Sequence, residues 1–169
     1  MATTFITGIA LRPGRTPYQT AHDSLTYIMN SKKTRGGELV SAFRCAAKSA
    51  PLEMIHEQTL FEQQTGRKVI QKYDGKKKSY LLMTVRQSFA PGEVTPEQAH
   101  RLGCELAIRF LGDKYQYVVA THIDKAHIHN HVIFNVVGSD LRKFHLTSNT
   151  HCRLSDVSDR LCRENSLSV

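Results

Sequence analysis

The chain has 169 residues and a hydrophobic share of 40%, which is the size of a single domain with a proper core. Its 23 Lys and Arg residues outnumber 15 Asp and Glu residues, and the net charge of +8 favours an anionic partner such as nucleic acid. The sequence offers no membrane span, no signal peptide and no CxxC pair of cysteines, which argues against a membrane protein, a secreted protein and a zinc ribbon, so we expect a cytoplasmic protein.

The first part of the chain predicts a strand followed by two helices. Residues 3–10 are rich in β-branched side chains, and the breaker "RPGRTP" separates them from a helical stretch at 18–31. A second helix is predicted at 51–65, with Pro51 in its first turn and Gly66 at its end. Its apolar positions at near-helical spacing are Leu52, Ile55, Leu60 and Phe61.

The middle of the chain predicts a hairpin and then a well-delimited helix. Asp74 and Gly75, a dipeptide typical of a type I′ turn, lie between two runs with strand character, so we expect a hairpin with a basic tip. The next helix begins after Thr95, an N-cap that Gln98 completes as a capping box, and Gly112 ends it. Its predicted buried residues are Ala99, Leu102, Leu106 and Phe110.

The last part predicts two neighbouring strands, a polar loop and a final helix. The strands are "YQYVVATHI" and "HIHNHVIFNVV", and the helix is "RLSDVSDRLCRENS", with Leu154, Val157 and Leu161 at helical spacing. Strands interleaved with helices and hairpins indicate an antiparallel or mixed sheet with helices on one face. We expect residues 1–169 to form one domain and to be the amino-terminal part of a longer protein.

Histidines cluster in the two neighbouring strands, within "THIDKAHIHNHVIFN". Because side chains alternate along a strand, His129 and His131 share one face with Asn135, while Val132 and its alternating neighbours belong to the core. A tight turn at residues 125–126 would place His122 directly opposite His129, about 5 Å away between Cβ atoms. The pattern therefore predicts three imidazoles on one patch.

Three neutral imidazoles with open coordination positions are typical of a catalytic metal site. Asp124 is a candidate to accept a ring N–H from His122. His127, at the tip of the turn, could contact Asp124, a phosphate or water. Asn135 follows on the histidine face as a candidate contact to a ligand or to the substrate.

The run His122, Asp124, His129, His131 and Asn135 resembles the metal motif of conjugative relaxases, the mobilisation nucleases of the HUH endonuclease superfamily. A departure from that pattern is the polar centre of "HNH" at 129–131. The resemblance extends over "SLTYIMNSKKT", "RQSFAPGEVTPEQAHRLGCELA" and "SDRLCRENSLSV", and thus over nearly the whole chain. It implies an α+β fold with a five-stranded antiparallel sheet flanked by helices, three histidine ligands for Mn²⁺ or Mg²⁺, and a tyrosine that nicks one DNA strand at a conjugative origin of transfer.

Tyr27 occupies the position of the family's first-motif tyrosine and is the predicted nucleophile. Phenols ionise near pH 10 and need help to lose a proton, while a divalent ion can polarise the scissile phosphate. Asp124 is the second candidate catalytic residue, as a proton acceptor for Tyr27 or through His122. The product would be a 5′-phosphotyrosine ester that a free 3′ hydroxyl can reverse. The other tyrosines are Tyr18, Tyr73, Tyr80, Tyr115 and Tyr117.

Basic residues are expected to bind DNA phosphates, and Tyr73 to stack on a base. The resemblance implies single-stranded origin DNA with an adjacent duplex or hairpin, relaxosome accessory proteins and a secretion coupling protein as partners. Other functions remain open: a rolling-circle replication initiator, a single-strand transposase, a three-histidine metal hydrolase, or a DNA-binding module. The basic candidates are Lys32, Lys33, Arg67, Lys68, Lys72, Lys76, Lys77, Lys78, Arg142 and Lys143.

Overall fold

The computed structural model describes residues 2–70 and 79–169. Five strands, four α-helices and a short 3-10 helix (Arg35–Gly37) are found in these residues, and the α+β fold predicted from the sequence is confirmed. In chain order the elements are β1 (Thr3–Ile9), α1 (Pro17–Ile28), β2 (Val40–Phe43), α2 (Ala50–Thr65), β3 (Leu82–Ser88), α3 (Pro96–Leu111), β4 (Tyr115–His122), β5 (His129–Gly138) and α4 (Ser148–Glu164).

The sheet is antiparallel throughout, with the strand order β1-β3-β5-β4-β2. Strand β5 is central, and its register with β4 places His122 opposite His129, as predicted. The hairpin predicted around Asp74 and Gly75 stays a prediction; of the described residues, 67–70 form no strand, and β1 and β5 pair with the two edges of β3. Its turn, at residues 71–78, lies outside the described residues.

Helices cover both faces of the sheet, so the expectation of one covered face is wrong. Helices α3 and α4 pack on one face, and α1 and α2 pack on the other over β4 and β5. Both sides of β5 are therefore core: Phe134 packs with Leu102 and Leu154 on the first face, and Ile133 packs with Leu25 and Met54 on the second. The second face is the one that carries the histidines.

Local capping explains where the helices begin and end. Thr16 forms a capping box with Gln19 before α1, and the Thr95 hydroxyl accepts the Gln98 amide before α3. Gly66 ends α2 in the left-handed region, at a φ of 68°. Of the helices in the described residues, none has the length and apolar character of a membrane span.

Two details of the helices differ from the prediction. In α2 the residues that reach the core include Met54, Gln58 and Phe61, while Leu52 is 62% exposed. Helix α4 begins at Ser148, because Thr147 caps it, so the end of the predicted polar loop is helical.

Candidate metal centre

Three histidines from β4 and β5 converge on one face of the sheet. His122, His129 and His131 each offer a ring nitrogen, and these nitrogens lie within 4.8 Å of one another. The ring centroids are 5.1 Å apart for His122 and His129, 4.5 Å for His122 and His131, and 5.0 Å for His129 and His131. Among the described residues this is the one group of histidine, cysteine and acidic side chains close enough to share an ion.

Backbone carbonyls fix two of the rings. The Nε2–H of His122 donates to the carbonyl of Ile28 at 2.8 Å, and the Nδ1–H of His129 donates to the carbonyl of His127 at 3.3 Å. A carbonyl only accepts, so each of these nitrogens carries the proton and the other nitrogen of each ring keeps its lone pair. Metal-binding histidines are commonly held by hydrogen bonds of this kind.

The three rings are held in their neutral form. Burial lowers the pKa of His122 and His129, and burial together with the two neighbouring imidazoles lowers the pKa of His131 to about 3. Neutral imidazole is the form that binds a metal. Within residues 2–70 and 79–169 no fully buried side-chain nitrogen or oxygen lacks a hydrogen-bond partner, so the open nitrogens of the cluster are accessible from outside. The donor set therefore fits a divalent cation with free positions.

Tyr27 lies beside the cluster, near the end of α1. Its neighbours Leu25 and Ile28 are buried, while Tyr27 itself is 59% exposed. The ring meets that of His122 edge to face, with the centroids 6.3 Å apart. The Ile28 carbonyl that fixes His122 belongs to the next residue, so one helix end positions both the phenol and the imidazole.

Lys33 links Tyr27 to Asp124. Its Nζ lies 4.4 Å from the centroid of the Tyr27 ring and 3.7 Å from a carboxylate oxygen of Asp124. The predicted hydrogen bond from His122 to Asp124 is absent among the described residues, because the Ile28 carbonyl takes the His122 N–H. Desolvation raises the pKa of the Asp124 carboxyl, but a backbone hydrogen bond and the nearby positive charge of Lys33 outweigh it and lower that pKa.

His127 and Asn135 are placed differently by the structure. The His127 ring centroid is 5.3 Å from that of His129, and its carbonyl holds the His129 ring. Asn135 has no exposed surface: its amide donates to the Met54 carbonyl and to Gln116, and its oxygen accepts from Gln58 at 2.9 Å. These bonds tie the sheet to α2, so the predicted contact of Asn135 with a ligand or the substrate does not fit its position.

The basic candidates fall into separate places. Lys33 is at the cluster, and Lys32 and Arg142 are exposed. A cavity of about 510 Å³ on the other face of the sheet is lined by Arg67, Lys68 and Lys143. Within this group Lys68 pairs with Glu62 at 2.8 Å, and Lys143 donates to the Val69 carbonyl at 2.7 Å. The predictions for Lys72, Tyr73, Lys76, Lys77 and Lys78 lie outside the described residues.

A buried polar network directly behind the histidines was not predicted. Asn130, between the two histidines of β5, points to the opposite face and has no exposed surface. It donates to Gln87 at 3.0 Å and to the Ala99 carbonyl at 2.7 Å, and it accepts from Thr121 at 2.7 Å. The sequence indicated this network only through Asn130 itself, a polar residue on the strand face that the alternation of side chains assigns to the core.

Comparisons with known proteins give one consistent result. The model of the family described as "Relaxase: MobA/VirD2-like, nuclease domain" matches residues 27–167. Protein rlx of Staphylococcus aureus is 42% identical over 96 residues, which are 56% of this chain and 30% of that protein. The group II intron-interrupted relaxase LtrB of Lactococcus lactis subsp. cremoris is 37% identical over 123 residues, covering 64% of this chain and 22% of LtrB. The chain thus spans less than a third of the length of these relatives.

A solved structure shares the fold. It is described as "Molecular Basis of Vancomycin Resistance Transfer in Staphylococcus aureus" and matches with a TM-score of 0.61 over 100% of this chain and 96% of that one. At 12% identity this likeness concerns the fold alone.

Proposed function

The chain belongs to the relaxase family, as a MobA/VirD2-like nuclease domain, and from that premise we propose that it nicks one DNA strand at a conjugative origin of transfer and later rejoins it. Tyr27 is the nucleophile, and the product is a 5′-phosphotyrosine ester. The observation that carries the proposal is the exposed Tyr27 ring, 6.3 Å between centroids from His122 in a cluster of three neutral histidines.

His122, His129 and His131 hold the divalent ion, with Mn²⁺ or Mg²⁺ as the candidates. When bound, such an ion polarises the scissile phosphate and offsets charge that develops on its non-bridging oxygens. The protein contributes neutral rings whose orientation the Ile28 and His127 carbonyls fix in advance. Preorganised ligands of this kind lose little freedom when the ion binds.

The attacking group must lose a proton, and phenols ionise near pH 10. Lys33 helps to hold the phenol in place, because its ammonium lies over the Tyr27 ring, 4.4 Å from the ring centroid. Asp124, paired with Lys33, is the nearby carboxylate that can accept the proton. The phenolate oxygen forms a bond to phosphorus, the bond from phosphorus to the 3′ oxygen breaks, and the departing strand end takes up a proton as a 3′ hydroxyl.

The covalent ester allows the cut strand to be rejoined. A phosphotyrosine ester keeps the energy of the phosphodiester, which attack by water would dissipate, and a 3′ hydroxyl can therefore reseal the strand. We propose as partners single-stranded origin DNA with an adjacent duplex or hairpin, relaxosome accessory proteins and a coupling protein, in the cytoplasm. The net charge of +8 suits the nucleic acid.

The test is a covalent adduct. The protein is incubated with single-stranded DNA from its element's origin of transfer and Mn²⁺ or Mg²⁺, then run on a denaturing gel. We expect a slower protein–DNA band that Tyr27→Phe abolishes. The matched control is Tyr18→Phe, since Tyr18 is on the same helix and 45% exposed. Equal adducts in Tyr27→Phe and wild type would contradict the assignment of the nucleophile.

A second candidate is a metal hydrolase, because three histidines with open positions also suit activation of water. The same gel separates it from the strand transferase. A hydrolase would cut the oligonucleotide without a protein-linked band, and Tyr27→Phe would leave that cutting intact.

A further inference from the structure

The histidine face of the sheet is only partly covered by helices. Helices α1 and α2 lie over β4 and β5, whereas β1 and β3 form the other half of the face. The antiparallel register aligns Phe5 of β1 with Arg86 of β3, and Arg86 with His131 of β5. Side chains paired in this way share one face, so a row runs from Phe5 through Arg86 to the cluster.

Arg86 is an exposed cation directly beside His131. Its positive charge contributes to the lowered pKa of His131, which places the guanidinium within electrostatic range of the cluster. Within the described ranges the side chain of Arg86 has no hydrogen bond or ion pair. Arginine presents a fork of donors that matches phosphate oxygens, and here nothing in the described protein occupies it.

Phe5 is an aromatic side chain of the edge strand β1 that the fold leaves 51% exposed, with its ring 6.3 Å between centroids from that of His151 of α4. Strand spacings of roughly 4.8 Å put it about 10 Å from His131 across β3, within reach of nucleotides that flank a bound phosphate. Its neighbours on the face bear hydroxyl groups. They are Thr3, Thr7, Thr84 and Ser88.

We propose that Phe5 and Arg86 hold the single strand next to the scissile phosphate. These two residues together are called the Phe5–Arg86 track. Arg86 binds a backbone phosphate beside the metal centre, and Phe5 stacks on a base. The proposal rests on the proposed function, of which it names the substrate path. Single-stranded DNA is the fitting occupant because stacking rings and free cations are the two elements that such strands bind, and the track leads directly into the cluster.

The experiment measures binding by fluorescence anisotropy with labelled oligothymidylate of roughly 16 nucleotides, in EDTA so that cleavage is excluded. Phe5→Ala and Arg86→Gln should each weaken binding by roughly tenfold. Arg86→Gln should also lower the slope of log affinity against log salt by about 1, because one phosphate contact is lost, while Phe5→Ala should leave that slope unchanged. Phe5→Trp should restore affinity.

Matched controls are Leu52→Ala, an exposed apolar residue on α2, and Arg160→Gln, an exposed arginine on α4. Both should bind like wild type. If Phe5→Ala and Arg86→Gln bind as the controls do, the track is wrong even when wild type forms the Tyr27 adduct. If wild type forms no adduct but the two variants still lose affinity with the expected salt slopes, the track holds and the nicking proposal fails.

Discussion

Successive residues at positions 129–131 of β5 point to opposite faces of the sheet, and the polar groups on the two faces differ in their hydrogen bonding. On one face His129 and His131, with His122, leave ring nitrogens open. On the other face the side-chain amide of Asn130 donates to Gln87 and to the Ala99 carbonyl and accepts from Thr121. The network continues through Gln87 to Ser158 at 2.9 Å and through His100 to Thr121 and Ser41 at 2.8 Å each.

We interpret this difference as the separation of the proposed metal site from the network that positions it. Unpaired buried polar groups are costly, and a closed network therefore fixes the strands that carry it. The open nitrogens of the histidine face keep a ligand-binding capacity that only an external partner satisfies. The network behind them joins β3, β4, β5, α3 and α4, and it holds the histidines at the separation that a shared ion needs.

The largest effect is expected from removing one of the three proposed metal ligands on the histidine face. His131→Ala should lower the affinity for Mn²⁺ by roughly 100-fold or more, because two imidazoles remain of three. Isothermal titration calorimetry measures it. His127→Ala is the control and should bind Mn²⁺ nearly as wild type does, because the backbone carbonyl of His127, not its ring, holds His129. Equal affinity in His131→Ala and wild type would remove His131 from the ligands.

Breaking the hydrogen-bond network of Asn130 should instead lower the stability of the fold. Asn130→Ala removes three hydrogen bonds and takes one partner each from the Ala99 carbonyl, Gln87 and Thr121, so the free energy of unfolding should fall by about 2–4 kcal/mol in urea. Affinity for Mn²⁺ should also drop by roughly tenfold, as for other groups that orient ligands. Asn149→Ala, at an exposed position of α4, should change stability by less than about 0.5 kcal/mol. Full stability of Asn130→Ala would show that the network is dispensable.

A smaller effect should follow from filling the space beside Asn130. A Cβ added at Gly103 would lie 2.5 Å from the Asn130 amide nitrogen, so Gly103→Ala should destabilise by about 1–2 kcal/mol despite the better helix propensity of alanine. In an Asn130→Ala background the same change should destabilise less, because the amide group is removed and only the Cβ of residue 130, 3.1 Å from the added Cβ, remains close. A double-mutant cycle of urea unfolding tests this coupling. Additive effects would contradict the close contact.

The smallest effect is expected on the pH dependence of stability. Burial lowers the pKa of His100 in the folded protein, while an unfolded histidine ionises near pH 6.5. Below that pH the unfolded chain takes up a proton that the folded chain refuses, so stability is complete above it and is lost as the pH falls. Urea unfolding of metal-free protein at about pH 7.5 and about pH 5.5 should show this loss, and His100→Gln should reduce it. The three cluster histidines contribute equally in wild type and in His100→Gln. An equal loss of stability in the two proteins would therefore exclude His100 as a source of the pH dependence.

Local patterns predicted much of the fold and part of the site. The caps at Thr95 and Gly112 bounded α3, because capping depends on a few adjacent residues. The turn preference of Asp74 and Gly75 did not predict that β1 and β5 are the partners of β3, because strand pairing depends on residues far away in the chain. Asn135 was assigned to the site because it shares a face with the histidines, yet Gln58 and Gln116 engage it in the core.

The sequence by itself determined that His129 and His131 share a face with His122 opposite, because strand alternation and a short connection are properties of neighbouring residues. Only the tertiary structure decided what surrounds them. The Ile28 carbonyl reaches His122 across 94 positions of sequence, and Arg86 and Phe5 join the face through strands β3 and β1. Such contacts depend on how whole elements pack, and packing is a collective minimum of burial and hydrogen bonding that no local periodicity contains.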